Sequence, residues 1–167
     1  MNGSSYQADN GRAVEAVEVR ECFGLSLEKA FAAWSQPEKI ERWFGPPGFK
    51  AKVLEHDFNI GGKWCFQMIS EAGESFHHFG TFVDIQSPNS LVFTWSAKEE
   101  IRDWGAWNTG CSLVTVYFVE QGTGTEITIR HENLATNAAR TALRGGWTGS
   151  LQSLAAYVER GENEWKR

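Results

Sequence analysis

The stretch from Asn133 to Gly161 constrains the fold most, because its apolar residues recur at helical spacing. Thr136 or Asn137 can cap the start of this helix, and Gly161 stands where a helix commonly stops. About 24 residues would make a rod of roughly 36 Å, which needs a large apolar surface to pack against. The residues of the apolar face, at spacings of four, four, three and four, are Leu143, Trp147, Leu151, Leu154 and Val158.

Three glycines interrupt the middle of this predicted helix. Gly145, Gly146 and Gly149 each cost about 1 kcal/mol of helix stability relative to alanine. Gly146 lies on the apolar side, so the close approach of a strand or of a ligand would explain it, whereas Gly145 has no evident packing reason. A kink or a tight helix–sheet contact on one hand, and a cavity beside Gly146 on the other, are the two interpretations left open.

The middle of the chain has a different period. From Phe49 to Glu132, apolar and polar residues alternate in six runs that are separated mostly by Gly, Pro and Asn turns, as in Trp64, Phe66 and Met68 with their polar neighbours. A further strand is predicted over Ala13–Cys22, followed by two short helices.

Strands joined by short turns make an antiparallel sheet, whose apolar face must be covered. Only the C-terminal helix is long enough to cover it. The order of elements therefore predicts an α+β fold of the form β-α-α-β6-α, in which a curved seven-stranded antiparallel sheet wraps around that helix.

Length and charge limit the number of domains and the kinds of partner. A chain of 167 residues predicts one domain, over residues 13–167, preceded by a polar and disordered tail at residues 1–12. With 16 basic and 21 acidic residues and no basic cluster, nucleic acid and membranes are poor partners. Three scattered cysteines suit reduced thiols in a cytoplasmic protein better than a disulfide framework.

Aromatic residues provide the main candidate for a binding site. Those on the inward faces of the strands should converge on Trp147 and Gly146 of the helix, and a pocket rich in aromatics with a few polar groups is typical of small-ligand sites. The alternative is that most of them are plain core. The sheet residues of this group are Trp64, Phe66, Phe82, Phe93 and Trp95.

The segment from Ala97 to Gly110 is too long for a hairpin turn and carries Trp104 and Trp107. Loops of this length are commonly functional, so one hypothesis is a lid, with Trp107 added to the candidate ligand-binding residues. Alternatively, both tryptophans pin the loop to the sheet or lie in a homodimer contact.

Catalytic and metal-binding motifs are not evident. The neighbours His77 and His78 point to opposite faces of a strand and cannot chelate one ion together, and no other spacing suggests a metal site. We expect neither a metal nor a cofactor. The four histidines are most simply explained as rim or surface residues, although one pocket histidine acting as an acid or base stays open.

Six short motifs, in order, are similar to those of one known family, and the similarity extends from Val14 to Glu159. The chain resembles the activator-of-heat-shock-protein-90-ATPase-homologue family, within the START-like, polyketide-cyclase-like (SRPBCC) helix-grip superfamily. The resemblance implies a helix-grip fold with an interior cavity, and it implies no shared catalytic motif. The matching segments are Ala30–Trp34, Trp43–Pro46, Gly61–Phe66, Gly80–Phe82, Leu91–Trp95, and Gly146–Trp147 with Leu154.

Three functions are consistent with these observations. The first is a binding protein that holds a small hydrophobic molecule between the sheet and the C-terminal helix. The second is a cyclase- or hydrolase-type enzyme that acts on a hydrophobic substrate in the same cavity, which needs a pocket histidine or carboxylate with a perturbed pKa. The third is a chaperone-partner-like interaction domain, which needs an exposed apolar patch.

Overall fold

Ten regular elements make up the described part of the chain, which comprises residues 16–97 and 112–161 of a computed structural model. The predicted tail and the predicted lid tryptophans, Trp104 and Trp107, lie outside these residues. The elements are β1 (Val17–Phe23), α1 (Leu27–Ser35), α2 (Pro37–Trp43), β2 (Lys50–His56), β3 (Lys63–Ile69), β4 (Ser75–Gln86), β5 (Ser90–Ala97), β6 (Ser112–Gln121), β7 (Gly124–Glu132) and α3 (Asn137–Arg160).

The strands form one sheet in the order β1-β7-β6-β5-β4-β3-β2, and every neighbouring pair is antiparallel. The predicted order of elements and the antiparallel seven-stranded sheet are therefore confirmed. The pairing register shifts between Phe82 and Asp84 on β4 and between Val53 and Glu55 on β2. Such irregularities bend a strand and increase its twist, which helps this half of the sheet to curve around the helix.

Local signals set the bounds of the two short helices. The hydroxyl of Ser26 accepts a hydrogen bond from the Lys29 amide at 3.2 Å at the start of α1. Pro37 occupies the first turn of α2, where its missing N–H is not needed. The indole N–H of Trp43 donates to the Ala33 carbonyl at 2.9 Å, so the end of α2 is joined to α1.

The C-terminal helix α3 begins and ends where its sequence predicts. The Thr136 hydroxyl accepts from the Ala139 amide at 3.0 Å, and the Gly161 amide donates to the Tyr157 carbonyl at 2.7 Å. The predicted apolar face is the buried one, except that Val158 at its end is only partly buried. None of the described helices is both long enough and apolar enough to cross a bilayer.

The three glycines of α3 differ in what surrounds them. A Cβ on Gly149 would lie 2.9 Å from the Cβ of Pro46 and 3.2 Å from its Cα, whereas a Cβ on Gly145 or Gly146 would meet no heavy atom within 4 Å. The tight contact thus belongs to Gly149, which lets the segment between α2 and β2 pack against the helix. Gly145 is exposed to solvent, and Gly146 adjoins open space inside the protein.

Candidate functional site

A cavity of about 230 Å³ lies between α3 and one half of the sheet. Gly146 contributes to its wall without a side chain, so the helix backbone itself borders the space. Trp147 and Leu143 flank this position and are buried. The helix residues that line the cavity are Ala142, Leu143, Gly146, Trp147 and Ser150.

The opposite wall comes from three strands and from the segment between α2 and β2. Met68 of β3, Phe76 and His78 of β4, and Trp95 of β5 form the sheet side. The connecting segment adds Phe44, Pro46 and Phe49. Among the described residues, no Asp, Glu, Lys or Arg lines this cavity, so its surface is apolar apart from a few nitrogen and oxygen atoms.

The structure divides the sequence-predicted site residues into two groups. Trp95, Gly146 and Trp147 line the 230 Å³ cavity. The remaining described ones surround a separate space of about 20 Å³, which has room for a water molecule but not for an organic ligand. These are Trp64, Phe66, Phe82 and Phe93.

Close packing fills that smaller space. The ring centroid of Trp64 lies 4.9 Å from that of Phe66 and 5.5 Å from that of Phe93. These are ordinary distances for aromatic rings packed in a core. Trp95 borders both spaces. Trp107 lies outside the described residues, and contact of any of these side chains with a ligand stays a prediction.

Several lining residues were not among the predicted set, although the sequence carried a signal for some of them. Met68 follows Trp64 and Phe66 at spacings of two, and His78 precedes Phe82 by four positions. An even spacing along a strand places residues on the same face, so both missed residues are expected on the inward face. Phe44 and Phe49 offered no such signal, because they flank an irregular segment whose path depends on the Pro46–Gly149 contact.

A chain of hydrogen bonds lies behind the cavity wall. The Trp147 indole N–H donates to Nδ1 of His131 at 3.0 Å, and Nε2 of His131 lies 2.7 Å from the Ser112 hydroxyl. That hydroxyl donates to the Trp95 carbonyl at 3.1 Å. This series of hydrogen bonds therefore connects α3 with β7, β6 and β5.

These contacts determine the tautomer of His131. An indole N–H only donates, so Nδ1 must accept and carry no proton. The proton is then on Nε2, which donates to Ser112. His131 is fully buried, and burial, with a smaller effect of His78, lowers its pKa from 6.5 to about 3. His131 is thus neutral at physiological pH.

The prediction that the histidines are rim or surface residues is wrong for His131 and for His78, which is only 5% exposed. Both stand in the inward row of a strand because of the alternation along β4 and β7. Burial, and secondarily the neighbouring His77, lower the pKa of His78 from 6.5 to about 4. The imidazole of His78 stacks on Trp95 with ring centroids 4.7 Å apart.

The Ser112–His131 pair has the distance of a nucleophile and its base, but not the access. Ser112 is 1% exposed and His131 is fully buried. Neither lines the cavity, and the serine proton is engaged with the Trp95 carbonyl. The pair therefore joins strands and helix rather than attacking a substrate. Among residues 16–97 and 112–161, no three His, Cys, Asp or Glu side chains cluster so as to hold a metal ion.

A polar groove of about 260 Å³ runs along the other side of the Phe44–Phe49 segment, between α2 and α3. Glu41, Arg42 and Arg160 line it, and all three are exposed to solvent. The apolar cavity is therefore the better candidate for a ligand site.

Sequence comparison assigns most of the chain to one family. The sequence profile of the family described as "Activator of Hsp90 ATPase homolog 1-like protein" matches residues 25–159. No curated protein is matched by sequence.

Comparison with solved structures gives the same architecture. A protein from Chromobacterium violaceum aligns with a TM-score of 0.74 at 23% identity, over 86% of this chain and 96% of that one. The AHSA1 protein from Silicibacter pomeroyi aligns with a TM-score of 0.74 at 24% identity, over 87% and 98%. The AHSA1-like protein from Aeromonas hydrophila aligns with a TM-score of 0.69 at 24% identity, over 89% and 94%. At these identities the likeness concerns the fold.

Proposed function

Because the chain belongs to the Activator of Hsp90 ATPase homolog 1-like family, we propose that it is a binding protein that holds a small apolar molecule in the cavity between α3 and the sheet. Helix-grip proteins of this kind commonly bind hydrophobic ligands. The observation that carries the proposal is the 230 Å³ cavity, which is lined mostly by aromatic and aliphatic side chains.

The open space at Gly146 supports a binding role. Core packing normally leaves few voids larger than a water molecule, and a glycine in a helix interior is unfavourable by about 1 kcal/mol relative to alanine. An alanine at this position would be accommodated without a clash. Glycine at this position thus lowers both the packing contacts and the stability of the helix, and the space that its missing side chain leaves enlarges the cavity.

The enzyme alternative has less support from this geometry. The described lining carries one imidazole, that of His78, and no carboxylate. A general base works best with a pKa near the operating pH, and burial lowers the pKa of His78 to about 4. The interaction alternative needs a contiguous apolar patch. The exposed large apolar residues of the described strands stand on β2, β4 and β6, which are not neighbours in the sheet, and Ile60 is exposed in the connection between β2 and β3.

The proposal is tested by closing the cavity from the helix side. Naphthalene, a flat hydrocarbon, is titrated against the protein and followed by quenching of tryptophan fluorescence. Gly146→Leu fills the space and should weaken binding by about tenfold or more, which corresponds to about 1.4 kcal/mol.

Gly145→Leu is the matched control, since it makes the same change one residue away on the exposed side of the helix. This variant should bind naphthalene like the parent protein. Absence of binding by the parent, or equal binding by the Gly146→Leu variant, would contradict a ligand site in this cavity.

A further inference from the structure

The size of the cavity limits its occupant to a small molecule. A cavity of about 150 Å³ in a protein core can hold benzene, so by proportion the 230 Å³ here suits a molecule of about nine non-hydrogen atoms. This is the size of one substituted ring or of two small fused rings, well below that of a sterol or a long acyl chain.

The chemistry of the walls favours a flat and uncharged occupant. Five aromatic rings border the space, namely those of Phe44, Phe49, Phe76, Trp95 and Trp147, and aromatic ligands pack well against such rings. The described lining contains no charged side chain. An ionised ligand would therefore lose its hydration without gaining an opposite charge.

Two residues that line the sheet side of the cavity each have a ring nitrogen with no hydrogen-bond partner among the described residues. These nitrogens are Nδ1 of His78 and the indole Nε1 of Trp95, and both are buried. The other such atoms of the described chain belong to residues that do not line this cavity. By contrast, the indole N–H of Trp147, on the helix side, is already bonded to His131.

Buried polar atoms nearly always have a partner in native proteins, so a pair of unpartnered nitrogens on two stacked residues of the cavity wall points to a polar group on the occupant. Trp95 can only donate, whereas the neutral imidazole of His78 can donate or accept at Nδ1, depending on its tautomer. A hydroxyl both donates and accepts. The rings of His78 and Trp95 are stacked with centroids 4.7 Å apart, so one small ligand can lie beside both side chains.

We propose that the cavity recognises an uncharged aromatic molecule that carries a hydroxyl group, and that His78 and Trp95 form the polar contact with that hydroxyl. This inference rests on the proposed function, because it names the chemical class of the ligand for the same cavity.

The test compares three probes that share one fused-ring skeleton and differ at one position, namely naphthalene, 2-naphthol and 2-naphthoate, by calorimetric titration at neutral pH. A net hydrogen bond should make 2-naphthol bind about five- to tenfold more tightly than naphthalene. The carboxylate of 2-naphthoate should make it the weakest of the three. Tighter binding of 2-naphthoate than of 2-naphthol would overturn the inference.

Variants then locate the preference. Trp95→Phe and His78→Phe should each reduce the ratio of the 2-naphthol affinity to the naphthalene affinity, measured on the same variant, to near one. Trp34→Phe is the matched control, because Trp34 is equally buried, also has an unpartnered indole nitrogen among the described residues, and lies away from this cavity. This control should keep the full preference for 2-naphthol.

The outcomes separate the two proposals. If no probe binds the parent protein, the proposed function fails and this inference fails with it. If naphthalene and 2-naphthol bind equally well, the binding function stands and the hydroxyl preference is wrong. If a variant fails to fold, the ¹⁵N chemical shifts of the His78 ring are measured in the parent protein instead. They should change when 2-naphthol is added and stay the same when naphthalene is added. The same change with both probes would overturn the inference.

Discussion

At the scale of single residues, Trp147 combines two roles that its place in the helix does not reveal. It packs against Trp95 with ring centroids 5.1 Å apart and against Trp34 at 6.1 Å. Its indole N–H is also the only hydrogen-bond donor to His131 Nδ1 among the described residues. A buried acceptor that loses its donor costs about 1–3 kcal/mol, so the polar contact adds to the effect of packing.

We predict that Trp147→Phe lowers the free energy of unfolding by about 1–3 kcal/mol more than Trp34→Phe does. Both changes remove one ring from a buried indole, but only the first leaves His131 Nδ1 without a partner. Denaturant unfolding of the two variants measures the difference. Equal losses would show that the hydrogen bond to His131 contributes little to stability.

At the scale of elements, periodicity was sufficient for the long helix and for the alternating strands. The buried face of α3 follows from the spacing of Leu143, Trp147 and Leu151, because such spacing depends on the helix alone. The hydroxyl of Thr136 and the amide of Gly161 likewise mark ends that local geometry decides.

The division of the inward aromatics between core and cavity could not be predicted in this way. Phe82 stands opposite Phe93 beside an irregularity of β4, and the cavity is bordered by Pro46 only because that segment contacts Gly149. Both features arise from contacts between residues far apart in the chain. His78 and His131 are different, since the alternation along their own strands is enough to place both on the inward face.

The glycines of α3 provide a prediction about this element. Gly145→Ala should raise the free energy of unfolding by about 1 kcal/mol through helix propensity, because its new methyl group meets no atom within 4 Å. Gly149→Ala should lower it by about 1 kcal/mol or more, since overpacking against Pro46 outweighs the same gain in propensity. Thermal or denaturant melts compare the two, and a stabilised Gly149→Ala variant would contradict the tight contact.

At the scale of the whole molecule, two buried neutral histidines make stability depend on pH. The folded pKa values, about 4 for His78 and about 3 for His131, lie below the unfolded value of about 6.5. Between these values the unfolded chain binds more protons than the folded one, so stability is fully present above about pH 6.5 and is lost as the pH falls. Burial also lowers the pKa of half-buried His56, so this residue likewise makes the folded protein less stable as the pH falls.

We predict a loss of about 2 kcal/mol for each of His78 and His131 between pH 6.5 and pH 5. Urea unfolding at a series of pH values measures the slope. His78→Phe removes the proton-binding site of one of these histidines and should reduce the slope by the contribution of one histidine. A free energy of unfolding that does not change over this range would mean that the histidines are not kept neutral in the folded protein.

The missing side chain at Gly146 has a consequence for how such a chain evolves. Every glycine codon is one base change from an alanine codon, and alanine here would add about 1 kcal/mol of helix stability while narrowing the cavity. For a ligand that the methyl group excludes, glycine gives the more stable protein only when the free ligand exceeds about four times its dissociation constant. Below that concentration, selection for stability alone favours the closed form, so under the proposed function an abundant ligand would be needed to keep the genotype with the open cavity.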